Sequence, residues 1–140
     1  MKTTINRQVA LLIIRLTLGF IVLMQGFGKV FSMGVENMYS SYMQPTFAEK
    51  LPNFVIYGTA YYTSYVELIA GLLLIIGWKR DYALYFIGSV LIIVSFGHGL
   101  EQPIWDLSHV LFRLLPLSAL LLLPSEWDKY RLDTLIKASK

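Results

Sequence analysis

The chain has 140 residues, of which 56% are hydrophobic and 15% charged, with a net charge of +3 and no cysteine. Soluble domains run at roughly 45–50% apolar and 25% charged, and a domain this small buries only about two thirds of the surface its unfolded chain exposes. The surplus apolar surface excludes an ordinary soluble fold, and the missing thiols exclude a thiol–disulfide relay or the usual iron–sulfur ligation by this chain.

The apolar residues fall in four runs. Val9–Val30 is broken only by Arg15, Gln25 and Lys29, and Val55–Trp78 contains Glu67. Tyr82–Leu100 contains His98, and Trp105–Pro124 carries Asp106, His109 and Arg113. Roughly 20 residues of helix cross about 30 Å of hydrocarbon. The runs therefore predict an all-α membrane protein, a four-transmembrane-helix bundle with spans at about residues 8–31, 54–78, 82–100 and 105–124. Lys2 and Arg7 ahead of the first run invite a signal-peptide reading. The run is too long for one, contains Arg15 and lacks a small-x-small cleavage site, so it reads as a retained first helix.

Lysine and arginine set the orientation. With the N-terminus inside, Lys2, Arg7, Lys79, Arg80, Lys129, Arg131, Lys137 and Lys140 are cytoplasmic, against Lys29 and Lys50 outside. Both termini are expected in the cytoplasm. The sequence pI near 9.2 then reflects topology and anionic lipid headgroups, not a nucleic-acid partner.

The connections differ in length. Tight turns are expected around Lys79–Asp81 and Glu101–Pro103, whereas the outer loop at 32–53 is long and holds Met33, Met38, Tyr39, Tyr42, Met43 and Phe47. It reads either as a short interfacial helix over the outer mouth of the bundle or as simple headgroup contact. The tail at 125–140 reads as an amphipathic helix along the inner surface, with Ser125 as N-cap and Glu126 and Asp128 in its first turn.

Polar residues inside spans are costly and normally face the bundle interior. At 100° per residue, Arg15, Gly19, Gly26 and Lys29 share one face of the first helix. Thr63, Ser64, Glu67 and Gly71 share one on the second, Ser95, His98 and Glu101 on the third, and Asp106, His109 and Arg113 on the fourth. A polar interior follows. Counted inward at about 1.5 Å per residue, Arg113 lies roughly 10 Å deep, Glu67 about 16 Å and Arg15 about 21 Å. Glu67 is thus expected between Arg15 and Arg113, a net positive layer that suits an anion or a carbonyl-bearing ligand, or else an ion-pair cluster without ligand, or a proton relay.

An outer layer is expected from Gln25, Lys29, His98, Glu101, Asp106 and His109. Neither histidine has the close second ligand of a zinc motif, and no covalent haem-attachment sequence is present, so no metal site and no covalent cofactor are expected. Hydrogen bonding of a quinone carbonyl by His98 or His109, with Glu101 or Asp106 handling the proton, is the chemistry these side chains suggest. A polar rim in contact with water is the alternative.

Arg15 and Gly19, continuing to Gly26, Gly28 and Lys29, resemble the opening helix of the DoxX family. Glu67 followed by Gly71 and Gly77 resembles that family's second helix, and Gly97-His98-Gly99 is compatible with its third. The resemblance implies a small four-helix protein of the bacterial or archaeal cytoplasmic (inner) membrane. It is similar to a subunit of thiosulfate:quinone oxidoreductase, with relatives in membrane redox complexes and oxidative-stress tolerance. Arg15, Lys29 and Glu67 occupy its polar positions. Three functions remain open: a quinone-linked redox subunit working with a partner chain, an accessory or assembly subunit of a larger membrane complex, and a small-anion or proton transporter. In the first, Arg15, Lys29, Glu67 and Arg113 form the ligand site, with His98, His109 and Glu101 as candidate proton donors.

Overall fold

A computed structural model describes residues 2–102 and 108–138. Helix α1 runs Lys2–Phe27 and continues as a π-helical stretch, Gly28–Met33. At the end of the bundle opposite Lys2, termed outer after the expected orientation, follow α2 (Val35–Met38), a second π-helical stretch (Tyr39–Met43) and α3 (Gln44–Phe47). Then come α4 (Asn53–Ile76), α5 (Arg80–Glu101), α6 (Ser108–Leu122), a 3-10 turn at Ser125–Trp127 and α7 (Leu132–Ala138). No strand occurs among the described residues.

Three helices are long and apolar enough to cross a bilayer: Lys2–Met33 with 32 residues, Asn53–Ile76 with 24 and Arg80–Glu101 with 22. The fourth apolar helix, Ser108–Leu122, has 15 described residues and falls short of that length. Residues 105–107 of the expected fourth span, Asp106 among them, lie outside the described residues.

Glycine sets how α1 and α4 pack. A Cβ on Gly26 would stand 2.2 Å from the Leu68 backbone nitrogen, and one on Gly71 would stand 2.5 Å from that of Leu23. The two backbones meet where only hydrogen fits, as in small-residue crossings of membrane helices. This contact fixes the register of the antiparallel pair. In the inner half, Leu11 and Leu18 of α1, Leu74 of α4, Leu84 and Ile87 of α5, and Leu120 of α6 form one closed core.

The turn between α4 and α5 needs left-handed backbone twice, at Gly77 (φ 73°) and Lys79 (φ 47°). Gly77 N–H donates to Leu73 O at 2.9 Å and Trp78 N–H to the same oxygen at 3.0 Å, closing α4 in the manner of a glycine C-cap. Asp133 supplies the cap for α5, accepting from the Lys79 and Arg80 backbone N–H groups at 3.0 and 3.3 Å. The tail is therefore not an amphipathic helix that begins at Ser125. Ser125–Trp127 is a single turn, α7 starts at Leu132, and the stretch between them tucks Asp128 into the inner end of the bundle.

The outer segment is helical and packs on α4. Val35 and Met38 bury against Ala60, and Tyr39 stacks edge-on against Tyr57 at 5.0 Å. The Tyr61 hydroxyl donates to Glu36 Oε2 at 3.1 Å. These contacts lay the segment across the outer end of the helices, above the site described next.

Candidate functional site

The outer half of the bundle holds a cavity of about 930 Å³ that is partly open to its surroundings. Helix α1 brings Gln25 to it and the π-helical stretch after α1 brings Lys29, α4 brings Thr63 and Glu67, α5 brings His98 and Glu101, and α6 brings His109 and Arg113. Met33, Met38, Met43 and Phe47 of the outer segment roof it. Four of the five methionines in the chain line this space, and Met24 is the one that comes from within α1. Methionine walls are flexible and polarizable, and they accommodate ligands of irregular shape.

At the floor, the Lys29 ammonium stands 2.7 Å from Glu67 Oε2, with the carboxylate side chain 5% exposed and the lysine 27%. Arg113 is near enough to Glu67 for the carboxylate to act on it electrostatically. Thr63 and Ser64 do not compete for these charges. Their hydroxyls donate back to their own helix, to Thr59 O at 2.9 Å and Ala60 O at 2.7 Å. One carboxylate therefore faces two cations, and both cations border the cavity.

Nearer the outer surface, the Tyr42 hydroxyl lies 3.5 Å from Glu101 Oε2 and Lys50 Nζ donates to Leu100 O at 2.6 Å. Burial, and then the Glu101 carboxylate, push the Tyr42 phenol above its ordinary range, so it remains a donor at neutral pH. These two links tie the roof to the end of α5.

Arg15 is not part of this layer. Its guanidinium sits at the inner end, donating to Leu74 O and Ile75 O at 2.7 Å each and to Tyr130 O. Its Nε is 3.2 Å from Asp128, whose other cationic neighbour is Arg80 Nε, also at 3.2 Å. Arg80 additionally donates to Leu120 O. All three side chains are buried. Counting inward from the apolar ends places Gly26 opposite about residue 59, whereas the glycine crossing places it opposite Leu68. That slip of roughly nine residues, about 13 Å at 1.5 Å per residue, moves Arg15 to the far end and brings Lys29 to Glu67. Lys29 consequently belongs to the floor and not to the outer mouth.

The remaining expected residues, Gln25, His98, Glu101 and His109, share the cavity with the Lys29–Glu67 pair, so the two expected layers are one space. Asp106 lies outside the described residues. Among the described residues no three histidine, aspartate or glutamate side chains converge as a metal cage would require. Asp128 and Arg80 were the residues that sequence reasoning placed elsewhere. The stretch Ser125-Glu126-Trp127-Asp128-Lys129-Tyr130-Arg131 mixes charged and aromatic residues, so nothing local separates Asp128 from the solvated charges around it.

A family model for DoxX matches residues 10–99, well over half of the chain, and the chain belongs to the DoxX family. The matched stretch contains Arg15, Lys29, Glu67 and His98, while His109, Arg113 and Asp128 lie beyond it. No curated protein and no solved structure matches the chain.

Proposed function

We propose that this membrane protein of the DoxX family is a quinone-linked redox subunit whose outer-half cavity holds the quinone ring. The observation that carries this reading is the cavity itself: about 930 Å³, walled by methionine and phenylalanine, with Lys29 and Arg113 converging beside Glu67. Ligand sites of this kind are mostly apolar, of roughly 300–1,000 Å³, with a few convergent polar groups. The Lys29 ammonium and Arg113 guanidinium are donors suited to a carbonyl oxygen, and Glu67 holds the lysine in place. His98 and His109 supply exchangeable protons, and Glu101 links them to the outer surface. Reduction to the quinol takes two electrons and two protons. The protons pass through these side chains, and a partner redox subunit supplies the electrons.

The same reading places the chain in a bacterial or archaeal cytoplasmic membrane, with four crossings and both ends in the cytoplasm. The lysine and arginine bias favours that orientation. The test is mass spectrometry of the lipid extract from purified protein, paired with quinone reduction in membranes. Wild type is expected to carry quinone, and Glu67→Ala to lose both the quinone and its share of the reduction. Wild type without quinone, together with unchanged reduction in Glu67→Ala, would falsify the proposal.

A further inference from the structure

Helices α1 and α6 share a core in the inner half of the bundle, where Leu11 and Leu18 pack with Leu117 and Leu120. Above that core, α6 presents Arg113 and His109 to the cavity, and α1 with its π-helical continuation presents Met24, Gln25 and Gly28. A Cβ built on Gly28 would meet no atom within 4 Å, although the glycine lines the cavity. Met24, one turn deeper, lines the same space and is 60% exposed. His109 is exposed as well. The opposite seam could not differ more. Between α1 and α4 the backbones touch at Gly26 and Gly71 and leave no room even for a methyl group.

From this asymmetry we infer that the cavity opens sideways to the bilayer between α1 and α6, at Met24 and Gly28, and that its ligand is a membrane-dissolved amphiphile whose long apolar tail leaves through that gap. The inference rests on the quinone reading of the cavity and adds the ligand's tail and its route. A ligand from water would have to pass the roof, which Lys50 and Tyr42 fasten to α5. Among the described residues, a ligand from lipid meets the flexible Met24 side chain and the bare face of Gly28. Its head would reach Lys29 and Arg113 while the tail stays among acyl chains, so neither charge nor chain is desolvated against its preference.

The full chain in lipid nanodiscs tests this with two probes, a benzoquinone ring bearing only methyl groups and the same ring with a long prenyl tail. Gly28→Trp plugs the gap with a side chain that enters open space, and Gly28→Ala is its control. The tail concentrates the probe in the bilayer, the side from which the gap is entered, so about a tenfold advantage of the tailed probe is expected in wild type and Gly28→Ala. Gly28→Trp is expected to weaken the tailed probe more than the methyl-only ring and so to remove that advantage. A photoreactive diazirine on the tail, used with wild type, is expected to label α1 around Met24–Phe27 and α6 around Leu111–Phe112. Labelling confined to the roof at 35–47, or equal loss of both probes in Gly28→Trp, overturns the portal and leaves the ring site standing. Failure of wild type to bind either probe overturns the quinone reading itself.

Discussion

The two halves of the bundle solve the problem of polar groups in an apolar setting in opposite ways. At the inner end, Arg15 and Arg80 surround Asp128, backbone carbonyls of Leu74, Ile75, Leu120 and Tyr130 accept from their other nitrogens, and Arg80 Nη1 also donates to Asp81 at 3.2 Å. The cluster is closed, side-chain exposure there is 2% or less, and a leucine core sits directly above it. At the outer end, the Lys29–Glu67 pair borders a cavity and the lysine remains 27% exposed. Guanidinium presents a fork of donors that carbonyls can saturate, which suits a permanent structural knot, whereas lysine is a single mobile charge. The inner polar cluster is built to hold the chain together, and the outer one is left with capacity to hold something else.

The largest expected effect comes from breaking the closed half. Asp128→Ala leaves the buried Arg15 guanidinium without a carboxylate and Arg80 with only the exposed Asp81, and removal of one partner from a buried ionic cluster costs about 3–5 kcal/mol. Equilibrium unfolding in mild detergent measures this, and faster proteolysis of the tail beyond Pro124 should accompany it. A loss under about 1 kcal/mol would mean that water reaches the cluster and screens it, which would erase the contrast between the halves.

Next in size is the crossing that sets the register. Gly26→Val or Gly71→Val forces a side chain into backbone atoms, and overpacking of this kind costs about 1–3 kcal/mol. Gly88→Ala is the counterpart on α5, where a Cβ meets nothing within 4 Å. There the better helix propensity of alanine should leave stability unchanged or raised by up to about 1 kcal/mol. Thermal unfolding of the three variants side by side separates a steric requirement from a general intolerance of substitution at glycine.

A smaller stability change, with a larger functional one, is expected in the open half. Lys29→Gln removes a pair that water already screens in part, so about 1 kcal/mol or less should be lost. Quinone retention in the lipid extract should nevertheless fall sharply. If Lys29→Gln destabilises as strongly as Asp128→Ala, the outer pair is as structural as the inner cluster and the site reading weakens.

Helical periodicity made much of this legible. The faces that carry Glu67, His98, and His109 with Arg113 were readable because polar residues recur at helical spacing in each apolar run, and the structure turns all three faces to one cavity. Arg15 shared the correct face but the wrong depth. Face is a property of one helix, while depth depends on how two helices slide past each other. That slide is set by the Gly26 and Gly71 contact, which apolar run lengths do not encode. Asp128 was harder still, because its partners lie 113 residues away at Arg15 and across the turn at Arg80, and no local pattern records such a contact. The tail looked amphipathic for the same reason: its most important polar residue points inward.

The smallest effect concerns the roof. Tyr42 is half exposed, its hydroxyl reaches Glu101 Oε2 only at 3.5 Å, and an exposed link of this length contributes little. Tyr42→Phe should therefore change global stability by less than about 0.5 kcal/mol, within the range of ordinary surface substitutions. Its consequence is local. With the hydroxyl gone, Lys50 to Leu100 O remains the tether between the roof and the end of α5. Amide hydrogen exchange across residues 35–47 should rise in Tyr42→Phe and rise further when Lys50→Met is added, while α1 and α4 stay as protected as in wild type. Such a result would show a roof that opens independently of the bundle. Exchange that rises equally in the roof and in the inner leucine core would instead make the two halves one cooperative unit, and the division between a holding end and a binding end would have to be given up.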